Sequence, residues 1–235
     1  MEHIIKNSNL IFDVGMLKGE DTDYYLKKGF QVIAFEANPD LMEECAKRFC
    51  NEIQNGQLII VSGALVDSAE KEVKFFKNDI NSCLGTVVTD WVHRQEFDKI
   101  ITVQNYVSIE SERVEFNLLI EELDIFRQLG FGNFKAINQA EVPSQKEPFQ
   151  SAEGRYIGYC FDRDSSGLFG RDLPGKWKTY EEIIKEYKLI FFLYSIFGDN
   201  GLLKNRIGSK RIKKILEKIL KRRIPGWYDL HASLS

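Results

Sequence analysis

The 235-residue chain has no apolar run of about 18 residues, so the sequence predicts no membrane-spanning helix. It shows no basic stretch followed by a long apolar one near its start, which sets the expectation of no secretory leader. Four cysteines (Cys45, Cys50, Cys83 and Cys160) form no CxxC pair and stand at no metal-ligand spacing from a histidine. That pattern argues against a disulfide scaffold and a structural zinc site, and predicts reduced thiols in a cytoplasmic protein. Internal repeats and low-complexity linkers are also missing. What remains is 43% hydrophobic and 29% charged, an ordinary soluble-domain mixture.

The charge is unevenly spread. Residues 204–223 hold ten Lys or Arg and one acidic residue, Glu217, giving +9 against a whole-chain charge of −3. The rest of the chain is therefore −12. Within the basic stretch Ile212, Ile215, Leu216 and Ile219 fall on one helical face. Such a helix suits an anionic membrane surface or an acidic acceptor, or it packs its stripe on the domain and leaves a solvated charged face. No recognition motif accompanies the charge, which argues against nucleic acid.

Apolar runs at 9–14, 31–36 and 57–65 alternate with helical patterns, the first closed by Gly29 and the second capped by Asn38 or Asp40. Short connections between them predict parallel strands with right-handed crossovers. Further along, 71–77 and 99–104 read as strands of lesser burial, 105–111, 134–139 and 155–161 as strands, and 116–130 as a helix stopped by Gly130. The simplest division is a core over 1–163 and a C-terminal extension over 164–235.

The first run ends in the loop "DVGMLKGEDT" and the second in Glu36. Ligands of parallel sheets bind beyond the carboxyl ends of the strands. Gly15 and Gly19 allow a tight turn and close approach of a ligand, and Glu36 can accept hydrogen bonds from a ribose diol. The dinucleotide loop G-x-G-x-x-G needs a middle glycine for the pyrophosphate, and here the glycines lie four apart. Asp13, Glu20 and Asp21 suit an ammonium, and Lys18 suits a carboxylate. The loop thus favours S-adenosylmethionine over NAD, while glycines placed only for packing are the alternative.

At these residues the sequence resembles the FkbM family of S-adenosylmethionine-dependent methyltransferases, over "FDVGMLKGEDTDYYLKKGFQVIAFEANPDL", "VSGALVDSAEKEVKFF", "YVSIESE", "FKAINQAE", "SSGLFGRDLPGKW" and "PGWYDLHA". The resemblance implies an α/β fold: the doubly wound, mostly parallel sheet of the class I (Rossmann-like) type, its last strand antiparallel, with a helical C-terminal extension. It implies O-methylation of a saccharide, glycan or natural-product hydroxyl. It also implies that Asp13, Gly15, Lys18, Gly19 and Thr22 surround the methionine end and Glu36 the ribose. Ala37 and Asn38 would lie near ribose and adenine, and Ser62, Gly63, Ala64 and Leu65 near the adenine. One departure stands out: the family's fourth strand, of the type "YLKIDIEG", is missing where Gln104 meets Asn105. Either the chain lacks roughly a strand and a helix, or the numbering closes over an omitted segment.

Glu110 ends a strand and is a candidate base, or an ion-pair partner of Arg113. Asn138 and Gln139 end the next strand and could contact an acceptor. His231, beside Trp227, Tyr228 and Asp229, is a second catalytic candidate if the tail folds over the site; simple tail packing is the alternative. The segment 165–170 reads as a lid or a plain loop. Two other functions compete: an idle cofactor-binding or surface-interaction protein, and an NAD-dependent oxidoreductase, which the loop spacing disfavours.

Overall fold

The structure is a computed structural model that describes residues 9–63, 106–111, 115–198, 201–203, 208–220, 222–224 and 227–234. The strands expected at 71–77 and 99–104, and the Gln104–Asn105 junction, lie outside the described residues. The chain divides into two compact units: residues 1–104 with 149–159, and 105–148 with 160–235. This differs from the expected division at 163, because the last strand of the chain is built into the sheet of the second unit.

In the first unit, β1 (Leu10–Val14), β2 (Gln31–Glu36) and β3 (Leu58–Ser62) form a parallel sheet in the order β1-β2-β3. Helix α1 (Glu20–Lys28) carries Glu20, Asp21 and Asp23 in its first turn and Lys27 and Lys28 in its last, matching the helix dipole at both ends. Gly29, at φ 98°, closes it as expected. Helix α2 (Pro39–Arg48) starts with the Asn38 side chain accepting from the Asp40 N–H and Pro39 in its first turn. The expected single helix breaks at Phe49, and α3 (Cys50–Gln54) follows. Met16, Leu26, Val32, Ala34, Cys45, Phe49 and Leu58 make the core between sheet and helices. On the opposite sheet face Phe12, Val14, Ile59 and Val61 are exposed.

Residues 155–161, expected as a strand, are not one. Gly154 and Gly158 take left-handed conformations (φ 67° and 63°) that interrupt an extended run. The Arg155 N–H donates to the Lys28 carbonyl at the end of α1, and Tyr159 Oη donates to Asp23 Oδ2 at 2.8 Å.

In the second unit, β4 (Tyr106–Glu110), β5 (Phe131–Asn138) and β6 (Tyr228–Leu234) form a sheet in the order β4-β6-β5, with β6 antiparallel to both neighbours. Thus the described strands make a mixed α/β protein with two small sheets, one parallel and one antiparallel, where one large sheet was expected. Alternate residues of β6 (Tyr228, Leu230, Ala232) enter a core with Leu119, Leu123 and Phe126 of α4 (Phe116–Gln128) and Ile183, Tyr187 and Ile190 of α5 (Tyr180–Phe197). Gly130, at φ 92°, follows α4 as the sequence predicts.

Helix α5 opens with a full capping box: Thr179 Oγ1 accepts from the Glu182 N–H, and the Glu182 carboxylate accepts from the Thr179 N–H. Thr179→Ala is expected to destabilise the protein by about 1 kcal/mol, read as a lower urea midpoint with unchanged slope. The last helix, α6 (Ser209–Leu220), buries none of its residues. No helix among the described residues is long and apolar enough to cross a membrane.

Candidate functional site

The first unit gathers its functional candidates at the carboxyl ends of its strands. After Val14 the chain turns back, and the N–H groups of Gly15 and Met16 both donate to the Phe35 carbonyl at 3.0 Å. Gly15 (φ 81°), Leu17 (φ 53°) and Gly19 (φ 79°) are all left-handed, which folds the loop tightly. The two glycines serve different ends. A Cβ on Gly15 would meet no heavy atom within 4 Å, whereas one on Gly19 would overlap the Phe49 ring, with Cζ at 2.9 Å.

Glu36 is 7% exposed and fastens the loop to the end of β2. Its Oε2 accepts from the Leu17 N–H at 2.8 Å and its Oε1 from the Asn38 N–H at 2.7 Å. The Leu17 carbonyl accepts from Cys45 Sγ, and the Lys18 carbonyl accepts from Arg48 Nη1 at 2.6 Å. Burial pushes the Cys45 thiol up to about 11 and keeps it protonated as that donor. Asp13 accepts from Thr22 Oγ1 at 2.5 Å, tying β1 to the fully buried Thr22 in the first turn of α1. Burial raises the Asp13 pKa, the Thr22 bond opposes this, and the Glu36 charge adds to it.

Of the other residues expected around a cofactor, Lys18 is exposed, and Ala37 is half-buried. Asn38 is buried and spends its side-chain oxygen capping α2. Ser62 is exposed at the end of β3, opposite Glu36 in register, and the Gly63 N–H donates to the Glu36 carbonyl. A Cβ on Gly63 would also meet no heavy atom of the described residues within 4 Å. Ala64 and Leu65 lie outside the described residues. Asp13, Gly15, Glu36, Ser62 and Gly63 are thus brought to the same end of one sheet.

The second unit holds the two catalytic candidates. Glu110 is exposed at the end of β4, opposite Asp229. His231 does not lie on a loose tail: it sits mid-strand in β6, 3% exposed, between Ser108 and Lys135 on the neighbouring strands. Its Nε2 lies 3.4 Å from Ser108 Oγ. Asn138 caps the 3-10 helix Gln139–Ser144, and Gln139 hydrogen-bonds Asp229, so both serve local structure. Segment 165–170 is packed, with Ser165 and Leu168 buried and the Leu168 N–H donating to Gln145.

The sequence reading did not single out Lys135, which is buried, donates to the Leu173 carbonyl at 2.8 Å and rests on the Trp177 ring. Burial and the Lys178 charge bring its pKa down to about 8. Its alternation within "FKAIN" marks it as facing away from the core, the only local signal available.

Burial, helped by the Lys135 charge, brings His231 down to about 3 from 6.5. The folded protein therefore resists protonation that the unfolded chain accepts. Stability from this residue is complete above the unfolded value near 6.5 and falls as pH drops toward 3, by up to about 1.4 kcal/mol per unit. His231→Gln is expected to flatten this loss, seen by comparing urea unfolding of both proteins from pH 7 to about 4.5.

Compared with family models, curated proteins and solved structures, the chain matches none.

Proposed function

We propose that the chain is an S-adenosylmethionine-dependent methyltransferase acting on a hydroxyl of a saccharide, glycan or natural product. The observation that carries this reading is the shared position of an open glycine turn at Gly15, a buried carboxylate at Glu36 and an open Gly63 at three adjacent parallel strand ends. The finer fold belongs to the same reading: a class I methyltransferase sheet, whose last strand is antiparallel as β6 is.

The donor set fits the group. A carboxylate offers about four lone-pair directions, and Glu36 spends one per oxygen on Leu17 and Asn38. The remaining capacity suits a ribose diol. Gly15 leaves space for main-chain approach, and the Asp13 carboxylate with exposed Lys18 supplies charges for an amino-acid moiety. When bound, S-adenosylmethionine supplies a methyl group on a positive sulfur. The protein's part is then to hold the acceptor oxygen in line and to receive its proton. Glu110, exposed at the end of β4 in the second unit, is retained as the candidate base on its strand-end position alone. Neutral, buried His231 is a positioning candidate within its sheet.

Calorimetry with S-adenosylhomocysteine and NAD, paired with transfer of a labelled methyl group to a glycan pool, tests the reading. Binding of the nucleoside with labelled product supports it. Preference for NAD, or no binding, overturns it. The missing "DIEG"-type strand favours a second reading, an idle cofactor-binding protein, which binding without transfer would support.

A further inference from the structure

The geometry points to α6 as a docking helix for the surface of an anionic phospholipid bilayer. Ile212, Ile215 and Ile219 are 49%, 59% and 68% exposed, although they stand on one helical face with Leu216 and Leu220. An aliphatic stripe in water is costly unless something covers it. Lys210, Arg211, Lys213, Lys214 and Lys218 fill the remaining face. The one acid in the helix, Glu217, is occupied locally, accepting from the Ile224 N–H at 2.9 Å.

Just beyond the helix, Arg222 is clamped to Glu186 of α5 at 2.5 Å, and Glu186 also holds Lys178. The helix is therefore tethered at its C-terminal end while Ile212, Ile215 and Ile219 stay exposed and Leu216 and Leu220 half-buried. A segment bearing +9 on a body bearing −12 sends positive charge, not the acidic body, toward a negative surface.

The composition favours lipid over a protein partner. Protein interfaces are enriched in aromatic residues and Arg and depleted in Lys. This face has aliphatic anchors only, and four of its five cations are Lys, whose stems can lie along the stripe while their ammonium groups reach head groups. The like charge of two such helices opposes pairing of copies through this face. The proposal does not depend on the methyltransferase reading, since it needs no cofactor.

The test is co-sedimentation of the full chain with phosphatidylcholine vesicles, with and without about one-third phosphatidylserine. Binding is expected only with phosphatidylserine, and is expected to weaken as salt rises. The exposed pair Ile215→Gln/Ile219→Gln, and separately Lys213→Glu/Lys214→Glu, should each lower the partition coefficient by at least about tenfold. Equal binding to neutral vesicles, no binding, or indifference to either variant overturns the proposal. So does a self-associated state in solution that the isoleucine variant dissolves.

Discussion

Replacing Glu36 by glutamine is expected to lower the affinity for S-adenosylhomocysteine by roughly 10- to 100-fold. The carboxylate now accepts from the N–H groups of Leu17 and Asn38 at once. Glutamine keeps the shape but turns an –NH2 toward one of them, leaving a buried donor without an acceptor. That lowers stability by about 1–3 kcal/mol, while the affinity loss comes from the ribose exchanging a charged acceptor for a neutral one. The same substitution should lower the urea midpoint, because the residue ties the loop to β2 whether or not a ligand is present. Calorimetry separates the effects: a stability loss with unchanged affinity would leave Glu36 a structural tether and end its assignment to the ribose.

The second large effect divides the two loop glycines. At Gly19 an alanine meets both the left-handed penalty, about 1–2 kcal/mol, and overlap with the Phe49 ring, about 1–3 kcal/mol. Gly19→Ala should thus destabilise by about 2–5 kcal/mol, and the double variant Gly19→Ala/Phe49→Leu should recover part of that. Gly15→Ala bears the backbone penalty alone, about 1–2 kcal/mol, because its Cβ meets open space. Its expected signature is the reverse: modest loss of stability and a large loss of nucleoside affinity. Chemical denaturation and calorimetry on both variants check the contrast; equal affinity losses would mean that the open space at Gly15 is not a ligand's.

These two glycines show what a sequence discloses and what it hides. Both announce a turn, but only the folded chain reveals that Gly19 yields to Phe49, thirty residues on. Strands β1, β2 and β3, the stops at Gly29 and Gly130 and the Asn38 cap are legible because each depends on neighbours a few residues away. The break at Phe49 is not, since Leu41, Cys45, Phe49 and Ile53 keep helical spacing across it. Residues 155–161 mislead for a related reason: their β-like composition is overruled by Gly158 and by bonding to α1. The tail alternates Tyr228, Leu230, Ala232 and Leu234 with polar residues, yet the sequence alone leaves it a tail that folds over the site or packs on the domain. Its partners, however, lie about a hundred residues upstream, where no local pattern can name them. Glu36 could be picked out as a strand-end acid, yet its two main-chain donors depend on the loop's left-handed path.

The place of β6 also sets an order of events. Among the described strands β4 and β5 pair with β6 and not with each other, so the ladders that join them form only after residues 228–234 have been synthesised. Pairing Tyr106 with Ser233 closes a long excursion of chain, the kind of non-local contact whose loop-closure entropy must be met before the sheet gains from it.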